Sequence, residues 1–597
     1  MKLEGIVCPM KSNLRVLCVS GLCLLAACHP AAPPPSAQAP AGSAASAAPK
    51  QDYFEVARSY LAKLDEFDPK QGMVQTAYYL NRWIAGFEDK FAWELDPTIE
   101  ELPTELRTIP SLKSLEKREF TVDDVRYLRE ASWARSISKW VAQRPDEPDL
   151  APWLKQLEKD RGEPHAYEVA LAAKLFDWTV RNIQLTALLP FPGQVAGPAG
   201  GVAAGGASSA SPIQQAMPGP GYTAFPWQTL IYGQGDAWQR ARVFMLLCRQ
   251  QQIDTVLLAL DDPRASPRPR PWLPAALVDD QLYLFDTELG LPIRAPGDVG
   301  IATLAQVRQD ASVLRSLDVG TDMRYAAADA DLTQLVALID ASPEALSYRM
   351  KAFEMGAAAG EPLFVAVAAS ELAKRLKSRG GVAAVDLWRI PFQARVFRDA
   401  LPVRAKVDLE AMRRLFYDEM ILENVHPLAQ GRVQYFRGNF EKTADNPGAK
   451  GYFVEARVPD VIINQIESSP EVQAGLGLVR TRENDQEWKR RLEMAKGMVI
   501  NIKQTASYWL GIIHYETGRY ETAVDWLKQR TLDVADNPWK PGARYNLARV
   551  YEALGDPELA RKTLLLDDSP QRHGDLLLAR YLRERMERQG KPGSAKP

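Results

Sequence analysis

Tyr508, Leu510, Gly511, Tyr515, Gly518, Tyr520, Ala523 and Leu527 are followed by Tyr545, Leu547, Ala548, Glu552, Gly555, Pro557, Ala560 and Leu564. The offset is constant, since 547 − 510, 555 − 518 and 560 − 523 each give 37. Gly518 and Gly555 stand where a first helix must stop, and glycine enters the left-handed conformation of a helix end without a Cβ penalty. Gly511 and Ala548 are small where two helices would cross closely. Two copies of a helix–turn–helix unit with matched spacing predict a helical array over residues 481–588. Pro427–Lys442 followed by Ala449–Ala456 reads as a worn third unit. Stacks of this kind need about three units to bury a continuous core, so neighbouring helices are expected to cap them.

The two units resemble the tetratricopeptide repeat, a helical hairpin of about 34 residues, with the extra residues placed in the loop Asp536-Asn537-Pro538-Trp539. In that family the first helix of each unit presents a concave face to an extended peptide or partner helix. The resemblance assigns candidate partner-binding roles to Tyr508, Ile512, Tyr515 and Glu516 in one unit and to Tyr545, Arg549 and Glu552 in the next. Aromatic anchors beside charges suit a protein or peptide partner.

Upstream, Gly235-Asp236-Ala237 opens a run in which Ala237, Ala241, Phe244 and Cys248 recur at i, i+4, i+7 and i+11, the buried stripe of a helix. Val256–Leu260, Ala275–Val278 and Gln281–Phe285 then read as strands, the last two joined by a tight Asp279-Asp280 turn. Before the run, Ala172–Gln184 is the end of a helix, and a stretch rich in Gly, Ala, Ser and Pro from Pro190 to Tyr222 reads as a disordered surface insert. This order resembles the transglutaminase-like, papain-related core. There a cysteine opens the central helix, a histidine begins the next strand and an aspartate closes a Tyr-x-Phe-Asp segment. The thiol gains from the helix dipole and an adjacent imidazolium, and the aspartate orients the imidazole. Mapped here, the nucleophile position is Ala237, the histidine position Pro271 and the aspartate Asp286. The resemblance therefore implies the fold without the catalytic pair, a pseudoenzyme. Cys248 lies between apolar residues and reads as a core thiol.

At the N-terminus, Lys11 and Arg15 precede an apolar stretch ending Leu25-Ala26-Ala27-Cys28, too short to span a membrane. These four residues resemble the lipobox of bacterial lipoproteins, which implies cleavage before Cys28, lipid attachment to its thiol and export to the cell envelope. His29 in place of aspartate is similar to members sorted to an outer membrane facing the periplasm. Pro30, Pro33, Pro34, Pro35 and Pro40 make residues 28–50 an extended tether.

The fold class expected is multidomain α+β. A signal (1–27) and tether precede a tryptophan-rich helical region (51–170) and a degenerate transglutaminase-like core (171–300, insert 190–222). An α+β connecting region (301–480) leads to the repeats and a disordered tail (589–597). Within the connecting region Leu332–Ile339, Leu372–Lys377 and Glu410–Glu419 read as helical, and Pro362–Val367, Ala384–Trp388 and Gly451–Ala456 as short strands. With 73 Lys+Arg against 75 Asp+Glu there is no basic excess for nucleic acid. Five scattered histidines, with no HxxxH or CxxC spacing, give no reason to expect a metal or cofactor. The function read from the sequence is a membrane-anchored, non-catalytic interaction or scaffold protein. The competing class is an envelope peptidase or amide-modifying enzyme with a rearranged site, marked by Cys248 within reach of His165 or His426.

Overall fold

A computed structural model describes residues 52–590 apart from 89–90, 191–217, 262–268, 298, 359, 407, 409–410, 413, 416–417 and 419–425. The signal, Cys28, the tether and most of the 190–222 insert lie outside the described residues, as does half of Glu410–Glu419. Among the described residues, no helix is long and apolar enough to cross a membrane.

Apolar runs of β-forming residues build one six-stranded sheet. Its strands are β3 (Asp254–Leu260), β4 (Arg270–Val278), β5 (Gln281–Asp286), β6 (Leu291–Pro292), β7 (Leu335–Ile339) and β8 (Ala384–Leu387), in the order β6-β5-β4-β3-β7-β8. A two-residue parallel pair, β1 (Gln184–Leu185) and β2 (Gln234–Gly235), stands apart. β3, β4 and β5 form the antiparallel meander expected, with Val256 opposite Ala275 and Ala275 opposite Leu284. The connection between β4 and β5 turns at Asp279, which holds a positive φ of 53°, a conformation that Asp tolerates better than most residues.

Leu335–Ile339 corrects the helical reading of Leu332–Ile339. A continuous apolar run carries no period to separate helix from strand, and here it pairs with β3 and, in parallel, with β8. The sheet thus continues past residue 300, where the sequence reading closed the core. Pro362–Val367 joins no sheet; its Val365 and Ala366 amides donate to the Glu354 carboxylate at 3.0 and 2.9 Å. Gly451–Ala456, read as a strand, is helical within Gly448–Ala456. Its Phe453 packs on Gly431, where a Cβ would lie 2.6 Å from the ring, a helix-on-helix contact that an isolated strand would not make.

The helices include α1 (Tyr53–Ala62), α2 (Pro69–Ile84), α3 (Val122–Ala142), α4 (Ala151–Arg161), α5 (Glu163–Asn182), α6 (Pro226–Tyr232), α7 (Ala237–Arg249), α8 (Tyr348–Ala357), α9 (Ala369–Arg379) and α10 (Ile390–Arg404). They continue with α11 (Pro427–Phe436), α12 (Gly448–Ala456), α13 (Asp485–Glu516), α14 (Tyr520–Val524), α15 (Lys540–Ala553), α16 (Pro557–Leu564) and α17 (Arg572–Gly590). α7 lies on β3 and β4, with α5 and α3 packed against it. α1 and α2 meet α8 around Phe54, Trp83 and Phe353.

The repeat reading holds in detail. Gly518 and Gly555 take φ of 70° and 79°, and a Cβ on Gly511 would stand 2.7 Å from Leu527. α14 runs on into a π-helical stretch, Asp525–Leu532. Its wider turns take up part of the extra length that the sequence reading placed wholly in the loop. The segments read as a worn third unit form a helical pair, α11–α12, packed on α13. One buried cluster runs from Trp133 and Phe176 through Phe244 and Phe285 to Tyr435, Trp509 and Leu547. The helical region, the core and the repeats therefore share an interior rather than owning one each.

Candidate functional site

The first place to look is the N-terminus of α7, where Ala237 is the first helical residue. Asp236 caps it: Oδ1 accepts from the Trp238 and Gln239 amides at 3.0 and 2.9 Å, and Oδ2 from the Gly221 amide at 2.7 Å. Gln239 returns the bond to the Asp236 amide at 3.0 Å. A carboxylate thus occupies the helix-end donors that would favour a thiolate. Tyr222 is buried and ordered, which corrects the disordered assignment at the end of the insert.

Asp286 is buried at the end of β5. It accepts from the Glu288 and Leu289 amides at 2.9 and 2.8 Å and from the Tyr325 hydroxyl. Burial pushes its carboxyl above the usual range, opposed by these bonds. Thr287 beside it donates to the Ala237 carbonyl at 2.8 Å, so Ala237 and the end of β5 do come together. Pro271 sits in β4 opposite Ala259. Cys248 is fully buried, and burial pushes its thiol up. His165 engages Asp279 through Nδ1 at 2.7 Å and the Tyr283 hydroxyl through Nε2 at 2.8 Å. His426 caps α11, its Nδ1 accepting from the Leu428 amide at 3.1 Å. Neither imidazole is bonded to Cys248.

The concave face of the repeats, expected to receive a partner, is occupied by this chain's own α5. Tyr508 and Ile512 are fully buried and Tyr545 nearly so. Tyr508 stacks on Trp539 with ring centroids 4.5 Å apart. The Asn546 amide donates to the Arg181 carbonyl at 3.0 Å. Glu516 accepts from Arg181 at 2.5 Å and from the Tyr435 hydroxyl at 3.1 Å, and it pairs with Arg144. Arg181 also lies over the Tyr515 ring at 5.0 Å. Arg549 reaches Glu147 at 3.1 Å, Asp177 at 3.5 Å and Glu552 at 2.8 Å. Burial pushes the Asp177 carboxyl up, but Arg181 and Arg549 bring it below its ordinary range. The physical reason is that an array this short cannot cover its own apolar stripe. α5 supplies the missing layer, with Asp177 and Arg181 matching the charges at its edge.

Sequence reasoning missed a cleft of about 1080 Å³ beside the capped end of α7. Its walls are α6 and β2, α10, and α13 from Arg491 to Thr505, with Pro538 and Trp539 also lining it. Most of the lining is apolar, including Phe397, Leu401, Met412, Leu478, Met494 and Met498. Asp418 is buried in one wall, accepting from Gln228 at 3.0 Å and held by Tyr232 and Arg398. A periodic signal did exist, since Met494, Met498, Asn501 and Thr505 recur on one face of α13. Nothing in the sequence says what that face looks across at.

Among the described residues no cluster of His, Cys, Asp and Glu could hold a metal ion. No curated protein and no solved structure matches the chain. Residues 504–529 and 541–564 match the model of the tetratricopeptide repeat, with starts offset by the same 37 residues (541 − 504). Repeats of this kind mediate protein–protein contact, and residues 504–564 of this chain carry two of them.

Proposed function

We propose that this is a non-catalytic binding and scaffold protein, exported and held at the cell envelope by lipid on Cys28. Its centre is a transglutaminase-like pseudoenzyme and its repeats brace that centre as well as meeting other proteins. One observation carries the reading. At the helix end where the related enzymes hold their nucleophile, this chain has Ala237, a carboxylate cap and an open apolar cleft. Such a place can hold a ligand and has no group to attack it. The antiparallel meander after α7 supports the family likeness at the level of order alone, and folds do not dictate function. The lipobox and tether support the anchoring.

The test is site-specific photocrosslinking in intact envelopes, with the crosslinker replacing Met494 in the cleft and, separately, Leu566 on the outer surface of the repeats. Adducts from Met494 support the cleft as the binding site, and protein adducts from Leu566 support a scaffold. Thiol- or metal-dependent amide hydrolysis by the purified chain, lost in Cys248→Ala, would overturn the non-catalytic reading.

A further inference from the structure

The walls of the cleft select among ligands. Among the described residues, every charged side chain on them is already engaged. Arg398 pairs with Asp418 and Arg491 with Glu483, Asp236 caps α7, and Arg414 donates to the Thr223 carbonyl at 3.2 Å. His426 is neutral, burial having pushed its imidazole down to about 4. Because its Nδ1 accepts from an amide, the proton resides on Nε2, a donor. The Nε2 position and the side-chain amides of Gln234 and Asn501 have no protein partner among the described residues. His426 Nε2, Gln234 and Asn501 therefore bring uncharged polar groups to a cavity whose lining is mostly apolar, with Met412, Met494, Met498, Leu401, Leu478 and Phe397 among it.

An extended peptide placed there would bring one N–H and one C=O per residue. The walls are mostly helices, whose backbone groups are bonded internally, so most of the peptide's groups would go unmet. A carboxylate or phosphate would find no free cation among the described residues. A polymethylene chain brings no polar group except at its head, and methionines adapt to such a shape. We infer that the cleft binds a long-chain acyl ester with an uncharged head, of the acylglycerol class. The chain lies against Met494 and Met498, and the head accepts from His426 Nε2 and meets Gln234 and Asn501. This inference rests on the cleft being the binding site.

Gly497 supplies a second, independent pointer. It sits in the middle of α13, where glycine weakens a helix, yet its backbone is ordinary helix and a Cβ there would touch nothing within 4 Å. No neighbour and no strained torsion requires glycine. It lies three residues after Met494 and four before Asn501, on the face that lines the cleft. A side chain there would occupy the cavity, so glycine keeps the space open.

Full-length Cys28→Ala protein, free of detergent, is titrated with brominated mono-oleoylglycerol below its aggregation concentration. Quenching of tryptophan fluorescence reports occupancy beside Trp539. Saturable one-to-one quenching is expected, and Gly497→Phe lowers the affinity at least about tenfold while Tm holds or rises. Gln234→Leu weakens binding by a smaller factor, and brominated oleate binds about tenfold more weakly than the ester. Oleate binding as tightly as the ester would overturn the uncharged head. Capture of an apolar peptide, blocked by Gly497→Phe, with no lipid binding would overturn the acyl class and leave the cleft standing. Unchanged affinity of Gly497→Phe for every ligand would remove the cleft itself.

Discussion

Glu516→Ala separates two meanings of the same residue. As a partner-binding residue Glu516 would be dispensable for folding; as part of the α5 interface it is not. Its side chain is fully buried, held by Arg181, Arg144 and the Tyr435 hydroxyl. Removing one member of a buried ion pair costs about 3–5 kcal/mol, because the remaining charge stays buried. Arg181 keeps Asp177 at 2.7 Å and Arg144 is partly exposed, which places the cost near the lower end, about 3 kcal/mol. At about 2.1 cal/mol/K per residue, a cooperative unit of about 500 residues has an unfolding entropy near 1 kcal/mol/K, so Tm falls by about 3 °C. Glu516→Gln preserves the volume and an acceptor for Arg181, so it should lose less. Calorimetry on the three proteins at one pH, together with urea unfolding, provides the assay. An unchanged Tm in Glu516→Ala, with weakened binding of a co-purifying protein, would refute the interface account and restore the concave face as a docking site.

Gly574→Ala should be worse than any cavity mutation nearby, because the added Cβ would fall 1.7 Å from the Leu289 carbonyl oxygen; a loss of about 3 kcal/mol or more is expected by urea unfolding. Glu130 is fully buried, accepting from the Trp227 amide at 2.9 Å, and burial raises its carboxyl to about 7. The folded state then holds a proton that the unfolded state has released, so stability falls as pH rises from about 4.5 to about 7. Glu130→Gln should flatten that slope and raise Tm at pH 8; a steeper slope in the variant would contradict the assignment. Cys28→Ala should shift the chain from the membrane to the soluble fraction or block its processing, as read by fractionation and mass spectrometry. Alkylation of native Cys248 should be negligible until the fold opens, because the thiol is buried and held protonated.

The features legible in the sequence were those written in local order. The constant offset of 37 gave the repeats, and Asp279-Asp280 gave the hairpin. The apolar stripe Ala237, Ala241, Phe244 and Cys248 gave the central helix. Failures arose where the partner of a segment lies far along the chain. Leu335–Ile339 is a strand because β3 is already there to pair with it. Tyr508 and Glu516 are interior because α5 covers them, although their residue types fit a binding face equally well. The cleft is a gap between α6, α10 and α13, three elements whose separate patterns do not reveal a shared space. The local hints were the stripe Met494, Met498, Asn501 and Thr505 and, beside it, Gly497, a glycine where nothing in the helix calls for one.

The ion pair between Arg181 and Glu516 joins residues 335 positions apart. Chains emerge N-terminal end first, and long-range contacts form late because loop closure must come before they stabilise anything. α5 therefore spends the interval before α13 and α15 are available with Trp178 and the guanidinium of Arg181 uncovered, though both end up buried. A chain stopped near residue 480 would remain in that condition permanently. Residues 171–480 should consequently aggregate or require a chaperone when produced alone, and supplying 481–590 as a separate polypeptide should restore solubility by covering the same surface.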